Sequence, residues 1–545
     1  MKINVRARQY EGIPAASALG MAVMESSGIR QLIDDRCEWD RDQRKLSPGM
    51  AVKAMMGPMF KGNRRRPLYK IDLFYQSAPI DLLFGRDVTH PSLNDVSLAR
   101  GLDTVFDAGV EELFWDCARL ICRRFGIDNS VLHMDSTNFS VYASESADDG
   151  DGAAVPRHSG HAKDGHDELL QYAMQTVTNS ERVMMFLKPY SGNVSDGNMD
   201  LDTLLSLKDK VDVTRTTIVA DNKLVNARII REMLDMGIGF VSKVPANFCD
   251  KVRDKVLYSS GQGVMDACPD IDGWSVYDTD SIVDGEILRF IACRNEKAVR
   301  KKRRHIETKE REKVQDALDR LSRKGFSCEA DAKRAFDEVV SRFSKRTPYS
   351  AVAEYVSFET YDRGNRRGRP KKGEEPERRM EWRIQPILTI DTARLDELSE
   401  AGGTNVLVTN LPRRYTDADN VRDGASAQTV LRLYLNEYKV EHTYRLMKSG
   451  LGVDRVFFRT PSRENAMMFV VGIATLIENI IDAMNRRNGD RDTFRTVIDQ
   501  FECVIVRYDR SDDSMDFEGP DERVEQLFRY LDTMRTDPAL LLSRV

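Results

Sequence analysis

Val131-Leu-His-Met-Asp135-Ser-Thr-Asn138 is the stretch whose reading decides the fold. A short apolar run delivers one acid, and His133 and Asp135, two apart, fall on the same face of an extended chain. The pattern recurs at Thr217-Ile-Val-Ala-Asp221-Asn, a buried strand that also ends on an isolated aspartate. Between the two, Gln171-Tyr-Ala-Met-Gln-Thr-Val-Thr178 and Val183-Met-Met-Phe-Leu187 read as strands parted by turn residues at Thr178-Asn-Ser180. A helix over roughly 200–208 precedes the second aspartate; a helix over 224–235 and a strand at Gly239-Phe-Val-Ser242 follow it.

Three strands, a helix, a strand, a helix and a strand form the order of a ribonuclease-H-like α/β core. In that core the first and fourth strands set their end residues side by side, and Asp135 and Asp221 occupy those ends. Residues 1–128 read as a helical N-terminal domain, with helical apolar spacing over Glu111–Phe125 and a basic stretch at Lys61-Gly-Asn-Arg-Arg-Arg-Pro-Leu-Tyr69. That stretch is either a DNA-end contact or a solvated loop. The core occupies 129–245 and returns over 426–490, around a largely β insertion at 246–425. The insertion holds a charged helical hairpin from Arg300-Lys-Lys-Arg-Arg304 to about Phe343, which reads as exposed. It also holds a linker-like Arg363–Pro376, in which Arg367 and Arg369 have the form of an arm for a narrow minor groove, or of a plain basic loop. A tail, 491–545, carries one apolar strand and an amphipathic helix.

A chain of 545 residues needs several domains. Its net charge of -5 gives no bulk electrostatic case for nucleic acid, so any such case rests on local clusters. The eight cysteines show neither zinc spacing nor a disulfide framework, consistent with a reduced cytosol. The N-terminus has no apolar signal core, and the apolar run Ala466–Ile477 is too short for a bilayer, so it reads as a buried core helix. A cytoplasmic, nucleoid-associated protein with no membrane partner is expected.

The remaining chemistry lies in Tyr434-Leu-Asn-Glu437-Tyr-Lys-Val-Glu441-His-Thr-Tyr-Arg445-Leu-Met-Lys448. On a helix, residues seven apart share a face, which groups Tyr434, Glu441 and Lys448. Two strand-end aspartates joined by a glutamate match the hard oxygen ligands that two Mg²⁺ ions require for phosphodiester chemistry. His133 reads either as a neighbour of such metals or as a core histidine. His158, His161 and His166 lie in a Gly-rich stretch where nothing fixes a ligand geometry.

Tyr434-x2-Glu437-x3-Glu441-x6-Lys448 resembles the Y-(2)-R-(3)-E-(6)-K signature of IS4-superfamily insertion-sequence transposases. Ser47-Pro-Gly49, Pro67-Leu-Tyr69, Leu93-Asn-Asp-x4-Arg100-Gly-Leu-Asp103, Lys163-Asp-x3-Glu-Leu-x-Gln171 and Gly192-Asn-Val-Ser-Asp196 resemble the IS1634-like branch. The resemblance implies a DDE transposase that cuts transposon ends and joins them to target DNA. Asp135, Asp221 and Glu441 would bind two Mg²⁺ ions, with Mn²⁺ as a substitute. Tyr434 and Lys448 would contact DNA, with Lys439 or Arg445 nearby to stand in for the missing cation and Asn193, Asp196 and Lys163 as outer contacts. The partners implied are terminal inverted repeats, target DNA and a second copy in a synaptic homodimer. One position departs: Glu437 stands where the signature has arginine, placing an anion where a phosphate-binding cation is expected. That departure keeps a second reading open, a remnant that binds ends without cutting. A nuclease of the same core is disfavoured by the Tyr-to-Lys face.

Overall fold

The computed structural model describes residues 10–61, 68–141, 154–159, 169–221, 225–245, 248, 252–362, 377–413, 415–417, 420–422, 424–436 and 460–542. Two compact units divide the chain: Met1–Ser242 with Arg432–Val545, and Lys243–Leu431. The first unit opens on a short strand, β1 (Glu11–Pro14), and a run of helices: α1 (Ala15–Ser26), α2 (Ile29–Arg36), α3 (Pro48–Met56), α4 (Ile71–Phe74), α5 (Ile80–Phe84), α6 (Asp95–Asp107) and α7 (Val110–Phe125). Local chemistry starts and stops them. The Ser47 side chain accepts from the Met50 amide and Pro48 occupies the first turn of α3. In α7, Glu111 and Glu112 lie in the first turn and Arg123 and Arg124 in the last, matching the helix dipole. Gly126 then ends α7 at φ 61°, a conformation glycine adopts without strain. The fully buried Lys53 ammonium donates to Glu25 Oε1 at 2.7 Å and to the Leu83 carbonyl at 2.8 Å, which binds α3 to α1 and α5.

The sheet of this unit comprises β2 (Val131–Val141), β3 (His158–Ser159), β4 (Leu170–Asn179), β5 (Met184–Ser191), β6 (Thr217–Ala220) and β7 (Gly239–Lys243). Its order is β5-β4-β2-β6-β7, with β3 continuing beside β4. Strand β4 is antiparallel to both β5 and β2, and β6 and β7 run parallel to β2. All ten residues of β4 are buried, as a central strand requires. Helices α8 (Asp196–Leu207) and α9 (Ala227–Met236) make the two crossovers. The result is a mixed α/β fold, with a helical N-terminal region and a central mixed sheet consistent with a ribonuclease-H-like core. One expectation is corrected. Asp135 does not end its strand, because β2 runs on to Val141 against β4; it is the parallel neighbour β6 that stops at Ala220.

The second unit holds α10 (Val252–Gln262), β8 (Asp266–Ala267), β9 (Trp274–Val283), β10 (Glu286–Asn295), α11 (Glu296–His305), α12 (Arg311–Ser322), α13 (Glu329–Ser344), β11 (Tyr349–Asp362), β12 (Glu377–Ile390), α14 (Thr392–Gly403), β13 (Thr404–Thr409), β14 (Tyr415–Asp417) and β15 (Asn420–Arg422). Strands β13, β10, β9 and β8 pair in that order, and β11 with β12 forms a long two-stranded ribbon. One face of the ribbon packs on α12 and α13 around Leu318, Phe336 and Ile384. The insertion is therefore mixed α/β rather than largely β. Its charged first helix is exposed and carries ion pairs along its own length, as between Arg300 and Glu296 and between Lys302 and Glu310.

Helix α15 (Ala427–Leu435) leads back to the first unit, where α16 (Pro461–Arg487), α17 (Phe494–Gln500), β16 (Ile505–Asp509), β17 (Ser514–Glu518) and α18 (Asp521–Thr533) complete the described chain. Strand β16 pairs with β1, so the tail joins the N-terminal layer. By length and composition α16 is apolar enough to cross a membrane, yet its apolar window is entirely buried within the protein. The run Ala466–Ile477 is thus a core helix as expected, although the helix continues to Arg487. Buried polar residues punctuate it. The Glu478 carboxylate is fully buried and has no hydrogen-bond partner among the described residues. One turn on, Asp482 accepts from the Phe494 amide, pinning α17.

Burial, reinforced by the Asp482 charge and opposed by Arg495, pushes the Glu478 carboxyl up to about 8. Burial raises Asp482 to about 6, offset by the Phe494 amide, Arg486 and Arg182. In the unfolded chain Glu478 ionises near the ordinary carboxylate value of 4.5. The folded state therefore holds a proton the unfolded chain releases, and stability falls as pH rises from about 4.5 to about 8. Glu478→Gln removes that penalty. Thermal melts are expected to coincide with the parent near pH 5 and to exceed it above pH 8, by about 1.4 kcal/mol for each unit of the shift. A gap that does not change with pH would refute this account.

Candidate active site

The pairing of β2 with β6 sets the site. Val131 lies beside Thr217, Leu132 beside Ile218, His133 beside Val219 and Met134 beside Ala220. The next residue on each strand is an aspartate. Neighbouring strands lie about 4.8 Å apart, so Asp135 and Asp221 leave the paired region as immediate neighbours. Both are part-exposed. Behind Asp221, the Ser242 hydroxyl of β7 donates to the Asp221 carbonyl at 2.8 Å and fixes the chain where the strand stops. In front of it, the Tyr434 hydroxyl donates to Asp221 Oδ1 at 3.5 Å, a long contact that joins the end of α15 to the aspartate pair.

Alternation along β2 turns Ser136 to the opposite face, where its hydroxyl donates to Asp196 Oδ1 at 2.8 Å. One turn further along α8, Asp200 Oδ1 accepts from Gln175 Nε2 of β4 at 2.8 Å. These two bonds dock α8 on the back of the sheet, so Asp196 supports β2 from behind. The Asp135 side of β4 carries Tyr172, whose hydroxyl donates to Glu464 Oε2 at 2.7 Å. Arg157 Nε donates to the same oxygen at 2.7 Å. Both Arg157 and Glu464 are buried, which draws the segment 154–159 onto the first turns of α16. None of these supporting residues stands out in the sequence except Asp196, which the motif at Gly192 singles out. Their signal is only a polar residue inside an otherwise apolar strand or helix.

His133 is completely buried on the Asp135 side of β2, which fits a core histidine. His158 is exposed in β3. Glu441, Lys448, Arg445, Lys439, Glu437, Arg367, Arg369, Lys163, His161 and His166 lie outside the described residues. Among the described residues no group of three His, Cys, Asp or Glu side chains could hold a metal ion. What the described geometry brings together is two aspartates that follow paired positions of neighbouring strands, with a phenol in contact with one of them. These are hard oxygen donors of the kind Mg²⁺ prefers.

A family model described as Transposase DDE domain matches residues 127–477, more than half of the chain. The chain belongs to the DDE transposase family. A second model, Domain of unknown function (DUF4277), matches residues 17–119 and so covers most of the helical region of this transposase. Together the two give the domain architecture of IS4-superfamily, IS1634-like insertion-sequence transposases. The DDE match begins just before β2 and ends within α16, taking in Asp135 and Asp221. A search of curated proteins finds no match to the chain.

The motif glycine Gly192 has a steric reason. A Cβ there would lie 2.7 Å from the carbonyl oxygens of both Gln171 and His158, where β3, β4 and the end of β5 converge. Gly192→Ala must push backbone apart. Overpacking of this kind costs about 1–3 kcal/mol. A lower melting temperature is expected, with faster amide exchange at 158–159 and 170–171; unchanged exchange there would disprove the steric account.

Proposed function

We propose that this chain is an active insertion-sequence transposase, built on a ribonuclease-H-like core, in which Asp135, Asp221 and Glu441 form the acidic triad. The observation that carries the reading is the in-register pairing of β2 with β6, which leaves two aspartates side by side in a chain of this family. At each transposon end a water oxygen attacks the scissile phosphorus, the bond to the 3′ oxygen breaks, and that oxygen leaves as a 3′ hydroxyl. The freed hydroxyl then attacks a target phosphodiester, forming one P–O bond as another breaks.

Divalent cations, two Mg²⁺ or Mn²⁺ in their place, would supply activation of the attacking oxygen and stabilisation of the leaving one. Asp135 and Asp221 would hold them, joined by Glu441 from the helix that Tyr434 begins. Three carboxylates around one point repel one another, and each needs rigid support to stay there. Ser136, Asp196 and Ser242 give that support by fixing the backbone on both sides of the aspartate pair. Tyr434, Lys448 and Arg445 would grip phosphates beside the cut, with Lys448 acting as a point charge. Arg367 and Arg369 would reach a minor groove. Binding two ends at once calls for a homodimer assembled on DNA in the nucleoid.

Glu437, in place of the signature arginine, favours a second reading in which the chain binds element ends without cutting. One experiment separates the two. The parent protein, Asp135→Asn, Asp221→Asn and Glu441→Gln are assayed with Mg²⁺ on a plasmid carrying the gene between its own flanking sequences. The expected result is cleavage by the parent and a loss of about a thousandfold or more in each variant, with DNA binding retained. Full cleavage by any one variant would end the triad assignment. Binding without cleavage by the parent, in Mg²⁺ and in Mn²⁺, would establish the second reading.

A further inference from the structure

The helical region matched only to a domain of unknown function holds a cleft of its own. Its volume is about 210 Å³, and it lies between the loop before α3 and the start of α6. Arg44, Lys45 and Arg100 line it together with Gln43 and the hydroxyl residues Ser92 and Ser97, and no carboxylate does. Arg44 Nη1 donates to the Thr104 hydroxyl at 2.9 Å, which itself donates to the Arg100 carbonyl at 2.8 Å. That chain of bonds holds the guanidinium along α6 without neutralising it.

Three of the acids nearby have partners of their own. Asp34 pairs with Arg30 and accepts from Ser47 and the Gly49 amide. Asp103, one turn beyond Arg100, pairs with Arg463. Asp95, in the first turn of α6, accepts from the Val96 amide. Among the described residues no carboxylate forms an ion pair with Arg44, Lys45 or Arg100, whereas Arg300, Lys302 and Arg303 of the charged hairpin in the second unit each have one.

Two sequence motifs build this cleft. Ser47 caps α3 beneath it, and Arg100-Gly101-Leu-Asp103 forms its α6 wall. A Cβ on Gly101 would lie 2.5 Å from the Ala51 Cβ, so glycine lets α3 and α6 approach closely enough to set the width. The Asp103–Arg463 pair ties α6 to the first turn of α16, the helix over the Asp135 face of the sheet. The cleft is smaller than a pocket for a drug-sized molecule and suits a single phosphate group. Three unneutralised cations and two hydroxyls are the donors such a group takes.

We infer that this cleft seats a backbone phosphate of duplex DNA and is one anchor through which the N-terminal region holds the transposon. The inference rests on the DNA-directed reading above, but not on the acidic triad. The test measures binding of a fluorescein-labelled duplex of arbitrary sequence by anisotropy, using the full chain, across about 50 to 200 mM salt. Each lost phosphate contact makes the slope of log K against log salt shallower by about 0.9, so Lys45→Gln with Arg100→Gln is expected to flatten it by about 0.9. Arg100→Lys, which keeps the charge, is expected to retain the parent slope. Asp221→Asn is expected to keep it as well, so continued cleavage by that variant would sink the triad while leaving the cleft standing.

A double variant that melts like the parent and keeps its slope would overturn the inference, as would a parent that does not bind duplex. Inorganic phosphate distinguishes the remaining source of the same chemistry. Stabilisation of the parent by phosphate, lost in the double variant whose DNA slope is unchanged, would mark a small-anion site and overturn the assignment to DNA.

Discussion

Everything at the candidate site depends on one constraint, the register between β2 and β6. Parallel strands make evenly spaced hydrogen bonds, and a slip of one residue would turn every side chain to the other face. The register is fixed by burial: Leu132, Met134, Ile218 and Ala220 all lie inside. His133 and Val219 on the opposite face are buried too, so slipping either strand would mispack both faces. The cost of misplacing an aspartate is therefore paid in hydrophobic area, well away from the acids themselves. A pair of carboxylates has no cohesion of its own, and here a packed apolar core enforces the approach.

Polar contacts refine what the core enforces. Ser242 holds the Asp221 backbone from β7, and Asp196 and Asp200 dock α8 against Ser136 and Gln175. On the other face α16 is anchored by Glu464 between Arg157 and Tyr172. A buried charge is tolerable when paired and hydrogen-bonded, and Glu464 meets that condition. Glu478 on the same helix does not, and stays neutral instead. The same helix thus uses one carboxylate as a fastener and keeps another as an acid.

Much of the α/β core was legible because its strands are short apolar runs between turn residues, and the spacing of Asp135 and Asp221 exposed the crossover order. The continuation of β2 to Val141 was hidden, because Ser136, Thr137 and Asn138 look like a turn after an acid. Only pairing with the fully buried β4 keeps them extended. The mixed character of the insertion was obscured by its two long strands, whose signal outweighs helices that are polar on most sides. Tyr434 stands out by helical spacing as a DNA contact, but its reach to Asp221 and the Ser242 contact join distant segments and leave no trace in local sequence. Burial of α16 could be read from composition; the reach of that helix to Arg487 could not, since Glu478 and Asp482 resemble the end of an apolar run.

The return of the tail to the beginning of the chain has a consequence for how the molecule is made. Strand β1 pairs with β16 among the described strands, and the Ser26 hydroxyl contacts that of Thr536 across 510 residues, at 2.9 Å. A ribosome emits the chain from its N-terminus, so β1 must wait for that partner until Ile505–Asp509 has been made. The inserted unit, compact over Lys243–Leu431, can condense before then. A polypeptide cut short ahead of β16 would therefore carry a finished insertion while β1 still awaits its strand partner.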